Sequence, residues 1–255
     1  MPGILLPEIE RFAAAALERA GLCAADAEIV TASITHAHAH GKGTHGVGRL
    51  PIYLRKIAQG LMRADTPLTE ISAAPAMVLL DAAHGFGQVA AIRGMRRAVA
   101  MARDQGIGLV GIRHSNNFGT GAFIAAEAVA AGMAGIVMSN ASPAIAPTGG
   151  ARPVFGTNPV AFGMPGPAGG APVILDMATS QAARGKIRLA AANGEPIPEG
   201  WALDAEGRPT TDAAAALAGS MLPLGGAKGY GLSLMVDMMA GLLTGSGFGG
   251  AALPL

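Results

Sequence analysis

The 255-residue sequence predicts an α/β protein in which a helical N-terminal domain precedes an α/β domain. Three observations lead there. Apolar residues in the first part of the chain recur at the 3.6-residue spacing of helices. From residue 76 onward, short apolar runs alternate with helical stretches, the pattern of strands joined by helices. Between the two regimes, Pro67 to Pro75 is poor in large apolar residues and reads as a linker, which sets the expected domains at 1–72 and 73–255.

The elements follow in order. Pro7 to Ala20 places Ile9, Phe12, Ala16 and Leu17 on one stripe, with Gly21 as its stop. A second helix is expected over about 25–40, and a third over about 47–59 carrying Leu50, Tyr53, Leu54 and Ile57. Strands are expected at 76–81 (AMVLLD), 107–113 (IGLVGIR), 135–139 and 173–176 (VILD), with helices at 88–105 and 120–131 and a last helix beginning near Tyr230. The Gly- and Pro-rich segment 142–170 has ordered turn chemistry, and a long loop of that kind inside a compact domain is usually functional.

Composition narrows the function classes. A net charge of +1, no Lys/Arg block and 4% aromatic residues give neither a nucleic-acid footprint nor a base-stacking platform. One cysteine, Cys23, excludes an intrachain disulfide framework and is expected to be packed in a helix. Glu8 and Glu10 stand where a signal peptide needs basic residues, and the longest apolar stretch, 232–243, is interrupted by Asp237. A soluble, cytoplasmic protein without a membrane partner is the expectation.

Thr44-His45-Gly46-Val47-Gly48-Arg49 carries the clearest chemistry. If the segment after Gly46 is helical, His45 occupies its first turn and Arg49 the next, and both lean into one cleft. A proton-transfer group beside a carboxylate clamp suits redox chemistry on a 2-hydroxy or 2-oxo acid. The same residues are also compatible with a plain helix start bearing a solvated Arg. Gly41, Gly43 and Gly46 spell G-x-G-x-x-G, but they follow a helix rather than a strand, which argues against a dinucleotide fingerprint. His36 and His40 share a helix face, yet no Cys or suitable carboxylate accompanies them, so no metal is expected.

Further along, His114-Ser115-Asn116-Asn117-Phe118-Gly119 joins a strand to the helix at Thr120 and offers backbone amides to an anion, although a plain polar loop has the same appearance. Asp176 to Ser180 follows the VILD strand, where a carboxylate meets ribose hydroxyls or caps a following helix. Lys186 and Lys228 lie in R-G-K-I and A-K-G-Y-G settings, where neighbouring glycines admit a ligand but where an ordinary surface Lys is equally at home.

Taken together, THGVGRLP, HSNNFG, SNASPAIAPTGG, GTNPVAFGMP, LDMATS, ARGKI and AKGYGL resemble, in this order, the malate/L-lactate dehydrogenase family. That family also includes sulfolactate, ureidoglycolate and diketogulonate oxidoreductases and cyclic imino-acid reductases. The resemblance implies a non-Rossmann NAD(P)-binding α/β domain and a homodimer. It implies His45 as proton donor/acceptor, Thr44 beside it in a place more often taken by Ser, and Arg49 on the substrate carboxylate. It implies cofactor contacts from Asn117, Phe118, Gly119, Thr120 and Gly121, from Ser139, Asn140 and Ala141, and from Asp176, Met177, Ala178, Lys186 and Lys228.

Three departures bear on that picture. Asn117 replaces a His found in many members and cannot titrate, so the proton role is expected on His45, or on His114 if the loop is rearranged. Lys186 stands where the imino-acid reductases place an Asp, which resembles the hydroxy-acid branch. The sequence closes at GFGGAALPL, where family members run on, so a shortened C-terminus is expected. The expected reaction is reversible hydride transfer between NAD or NADP and a small 2-hydroxy/2-oxo acid. The alternatives are a pyrroline- or piperideine-2-carboxylate reductase and a folded but catalytically silent member.

Overall fold

The computed structural model describes residues 4–168 and 170–249; the closing residues of GFGGAALPL from 250 onward lie outside them. The chain divides into two units, Met1–Ile136 with Phe162–Ile174, and Val137–Ala161 with Leu175–Leu255. Residues 1–72, expected as a domain of their own, therefore share a unit with the first strands that follow them.

In the first unit, α1 (Leu6–Arg19) and α2 (Ala24–Ala39) pack on α3 (Leu50–Ala58). The inward stripe of α1 runs through Ala13 and Leu17, while Phe12, expected on it, is 70% exposed. At 100° per residue, Phe12 lies off the line that the i, i+4 pair defines. Cys23 is also exposed rather than packed, at the cap of α2. Val30, Ile34, Leu50, Tyr53, Met62, Phe86 and Val89 complete this core. Each buried large apolar side chain contributes about 1.5–3 kcal/mol. Arg93 reaches across to the buried Asp26 carboxylate at 2.5 Å and so ties the following helix to α2.

The expected linker is a strand. β1 (Thr69–Ala74) pairs antiparallel with β2 (Met77–Asp81), and β2 pairs parallel with β3 (Leu109–Arg113) through the crossover helix α4 (Gly87–Gln105). All six residues of β1 are exposed, so no apolar alternation marked it in the sequence. The loop after β3 leads into α5 (Gly121–Ala130).

β4 (Gly135–Met138), β5 (Val160–Met164) and β6 (Val173–Met177) form a second sheet, and the unit boundaries fall inside these strands. β5 lies within the Gly- and Pro-rich segment that had been expected to be loop. The second unit adds α6 (Arg184–Asn193), a small sheet of β7 (Ala202–Leu203), β8 (Pro209–Thr210) and β9 (Ser220–Met221), and α7 (Ala213–Ala218). Ile145, Ile187, Ile197, Ala202 and Met221 make its core. α8 (Ala227–Asp237) follows and continues as a π-helical turn over Met238–Leu242.

Candidate functional site

Thr44, His45 and Arg49 come together, but not on one α-helix. Gly43–His45 and Val47–Arg49 are separate 3-10 turns, broken by extended Gly46, and α3 begins only at Leu50. The expected helix from 47 fails because Gly46 and Gly48 weaken propagation, while Pro51 is pre-organised for a helix's first turn. Thr44 joins the other two instead: its Oγ1 lies 3.1 Å from His45 Nδ1, and its carbonyl accepts from Arg49 Nε at 3.0 Å. Gly46 passes so close to α2 that a Cβ there would sit 3.1 Å from the His38 Cβ, which fixes the height of the loop.

The 114–119 loop is held at both ends. At its start, Asp81 takes the Ala83 N–H, Arg113 Nε and His114 Nδ1, each at 2.9 Å. Burial alone would raise this carboxyl; the Ala83 amide, His114 and Arg113 outweigh it and hold Asp81 down at about 2. His114 and His84 stack at 5.4 Å, both with positive φ, a backbone region that L-residues rarely adopt. With Nδ1 on Asp81, His114 belongs to this structural cluster.

Further on, Tyr53 Oη donates to Asn117 Oδ1 at 2.9 Å and accepts from Gln88 Nε2 at 2.7 Å. Burial raises the Tyr53 phenol above its ordinary value, against opposing contributions from Arg49 and Gln88. Gly87 admits the loop backbone: a Cβ there would lie 2.1 Å from the Asn116 carbonyl oxygen. Phe118 is half-buried, Gly119 and Gly121 are buried, and Thr120 caps α5 with its own Oγ1 buried and unpartnered.

In the second unit, Ser139 Oγ donates to the Asn140 carbonyl at 2.9 Å, Asn140 Nδ2 donates to the Gly247 carbonyl at 3.0 Å, and Ala141 N donates to Asn158 Oδ1 at 3.1 Å. Asn158, at φ +29°, donates in turn to the wholly buried Asp237 at 2.9 Å and to the Ser233 carbonyl. Asp176, Met177 and Ala178 are half-buried at the end of β6. The next helix begins only at Arg184, so Asp176 is not its cap. Lys186 and Lys228 are exposed in the first turns of α6 and α8, and neither forms an ion pair among the described residues. A cleft of about 610 Å³ lined in part by Gln181, Gly225 and Gly226 adjoins the start of α8.

The His36 and His40 rings lie 4.2 Å apart, tilted to each other, and no group of three metal-ligating side chains exists among the described residues. Tyr53, Gln88, Gly87 and Asp81 were not singled out as site residues from sequence. The signal available was G-F-G-Q at a helix start, where a second Gly before a buried amide marks a close backbone approach.

A family profile described as malate/L-lactate dehydrogenase matches residues 4–254. The chain belongs to the malate/L-lactate dehydrogenase family. Membership makes it an oxidoreductase. It is 44% identical over 246 residues to a (2R)-3-sulfolactate dehydrogenase (NADP(+)) of Chromohalobacter salexigens, covering 96% of this chain and 73% of that protein. It is 41% identical over 240 residues to a Δ1-pyrroline-2-carboxylate reductase of Ancylobacter novellus, covering 94% and 70%. Among solved structures, the sulfolactate dehydrogenase of Methanocaldococcus jannaschii superposes with a TM-score of 0.91 at 35% identity, over 98% of this chain and 72% of that one. This agrees with the α/β fold expected from the motifs.

Proposed function

We propose that this oxidoreductase catalyses reversible hydride transfer between NAD or NADP and a small 2-hydroxy/2-oxo acid. The observation that carries the proposal is the Thr44 junction, which couples an imidazole and a guanidinium through one residue. Arg49 holds the substrate carboxylate, where its planar fork supplies both orientation and charge. His45 exchanges the proton at Nε2, because its Nδ1 faces Thr44 Oγ1.

The second unit fits a dinucleotide. Gly226 caps α8 without a side-chain hydrogen bond, so the first-turn amides remain available to phosphate oxygens, with Lys228 beside them. Ser139 to Ala141, Asp176 to Ala178, Lys186 and Lys228 are the residues of this unit that we assign to hold it; Asn117 to Gly121, in the first unit, stand as cofactor contacts on the family resemblance. When bound, the cofactor supplies the hydride; the chain supplies position and the proton.

Among the described residues no helix is long and apolar enough to cross a membrane. We assign it to the cytoplasm as a homodimer; the half-exposed Met77 and Leu109, side by side on the first unit's sheet, support the dimer alone. Light scattering that returns a monomer mass removes the dimer.

The test is absorbance of reduced nicotinamide with NADH or NADPH against 2-oxo acids and pyrroline-2-carboxylate. Oxidation by 2-oxo acids is expected, and activity on pyrroline-2-carboxylate alone would replace this reading with an imino-acid reductase. His45→Ala should lower kcat by roughly 100-fold or more with cofactor binding retained; undiminished turnover would remove His45 from proton transfer. Arg49→Lys should chiefly raise substrate KM, and an unchanged KM would remove Arg49 from the site.

A further inference from the structure

One backbone N–H decides the direction of a hydrogen-bond chain that runs from the core of the first unit to its surface. Gly119 N donates to the Asn117 side chain at 3.2 Å. A backbone amide nitrogen only donates, so the atom it meets must be the amide oxygen, and the orientation of Asn117 is settled. Tyr53 Oη, 2.9 Å from that same oxygen, must then give its proton to it. Its lone pairs face Gln88, which presents Nε2 at 2.7 Å. Gln88 is wholly buried, and its Oε1 has no hydrogen-bond partner. An unpartnered buried amide oxygen is unfavourable, so the core forgoes one hydrogen bond while holding Gln88 on Tyr53.

The far end of the chain is a donor. With Oδ1 accepting from both Tyr53 and Gly119, Asn117 has only Nδ2 left, and that nitrogen has no hydrogen-bond partner among the described residues. Asn117 is half-buried. Arg49 caps α3 with helical dihedrals one turn ahead of Tyr53, so the two side chains leave the same face of the helix start. A carboxylate on Arg49 and an oxygen on Asn117 Nδ2 would thus flank the same phenol.

We propose that Asn117 Nδ2 donates to the 2-oxygen of the substrate, and that Tyr53 and Gln88 are positioning residues that aim it. This rests on the reading that Arg49 takes the substrate carboxylate. In the reducing direction, hydride arrives at C2 and the carbonyl π pair moves onto oxygen. The Nδ2–H stabilises the charge developing there, and the proton that completes the hydroxyl comes from His45. The cofactor is oxidised and the 2-oxo acid reduced. Asn117 neither gains nor loses a proton, so it contributes to binding and charge stabilisation without adding a limb to the pH profile.

A double-mutant cycle on kcat tests the positioning, and an NMR titration tests the donor. Tyr53→Phe should lower kcat about fivefold with substrate KM changed less than about twofold. Asn117→Ala should lower kcat by roughly thirtyfold. In the Asn117→Ala background, adding Tyr53→Phe should cost less than about twofold; an equal loss in both backgrounds overturns the positioning role. Asn117→Asp keeps the oxygen that Tyr53 and Gly119 address but replaces the donor with an acceptor. It should be at least as impaired as Asn117→Ala, and near-normal kcat overturns the assignment. Independently of turnover, the 15N-labelled side-chain amide of Asn117 should shift when oxamate is added to protein already saturated with NADH or NADPH, and a resonance unmoved by oxamate overturns the donor. A shifted amide without turnover of any 2-oxo acid would sink the functional reading and leave the donor standing. Turnover with an unmoved amide would do the reverse.

Discussion

Beyond the start that Asp81 holds, the loop at 115–119 hangs from neutral groups, Gln88, Tyr53 and Asn117, whereas the loop at 139–141 hangs from a carboxylate through Asn158 and Asp237. Both use a side-chain amide as the last link, and both reach into a fully buried residue. They differ in what the buried residue offers. Asp237 accepts with both oxygens, from Asn158 Nδ2 and from the Gly249 N–H at 3.0 Å. Gln88 offers a donor and leaves its oxygen unpartnered. A carboxylate fixes a loop strongly but sets no direction beyond acceptance. A neutral chain is weaker, and it dictates which end of Asn117 is presented.

That contrast is sharpest where it can be broken. Asp237→Ala removes the acceptor of two buried donors and should cost about 3 kcal/mol of stability in urea titration. A loss below about 1 kcal/mol would make the two attachments equivalent. Next comes Gly87→Ala, whose new Cβ would fall 2.1 Å from the Asn116 carbonyl oxygen. Forced displacement of this kind costs about 1–3 kcal/mol, and here kcat should fall with it. Tyr53→Phe keeps the ring against Phe86 and should cost only about 1 kcal/mol, separating its effect on turnover from its effect on folding.

A pH-dependent effect lies in acid. Asp81 titrates at about 2 in the folded protein against an ordinary 3.8, so its contribution is complete above pH 3.8 and lost as pH falls towards 2. Asp81→Asn should flatten that part of the stability-pH curve; an unaltered acid limb would show that the Arg113 and His114 contacts do not form in solution.

Much of the regular structure was legible in the sequence: α1, α2, α4, α5 and β2 to β4 lie within a few residues of expectation. β1 was not, because its residues are all exposed, and β7 to β9 are two-residue strands with no pattern to read. The chemistry of Thr44, His45 and Arg49 was visible as residue types, yet their geometry was not, since Gly46 breaks the helix on which it was placed. The neutral chain was invisible for another reason. Tyr53 and Gln88 are 35 positions apart, each resembles an ordinary core residue, and only packing brings them together.

The Gly119 amide belongs to a surface loop by sequence, but its proton is shielded by a side chain whose partners lie on α3 and α4. Its exchange with deuterium should therefore follow the opening of the helical core, at the slow end of the molecule's range, and not the rapid flicker of a connecting segment. Chemistry at residues 115–119 and the cooperative unfolding of the first unit would then share one clock.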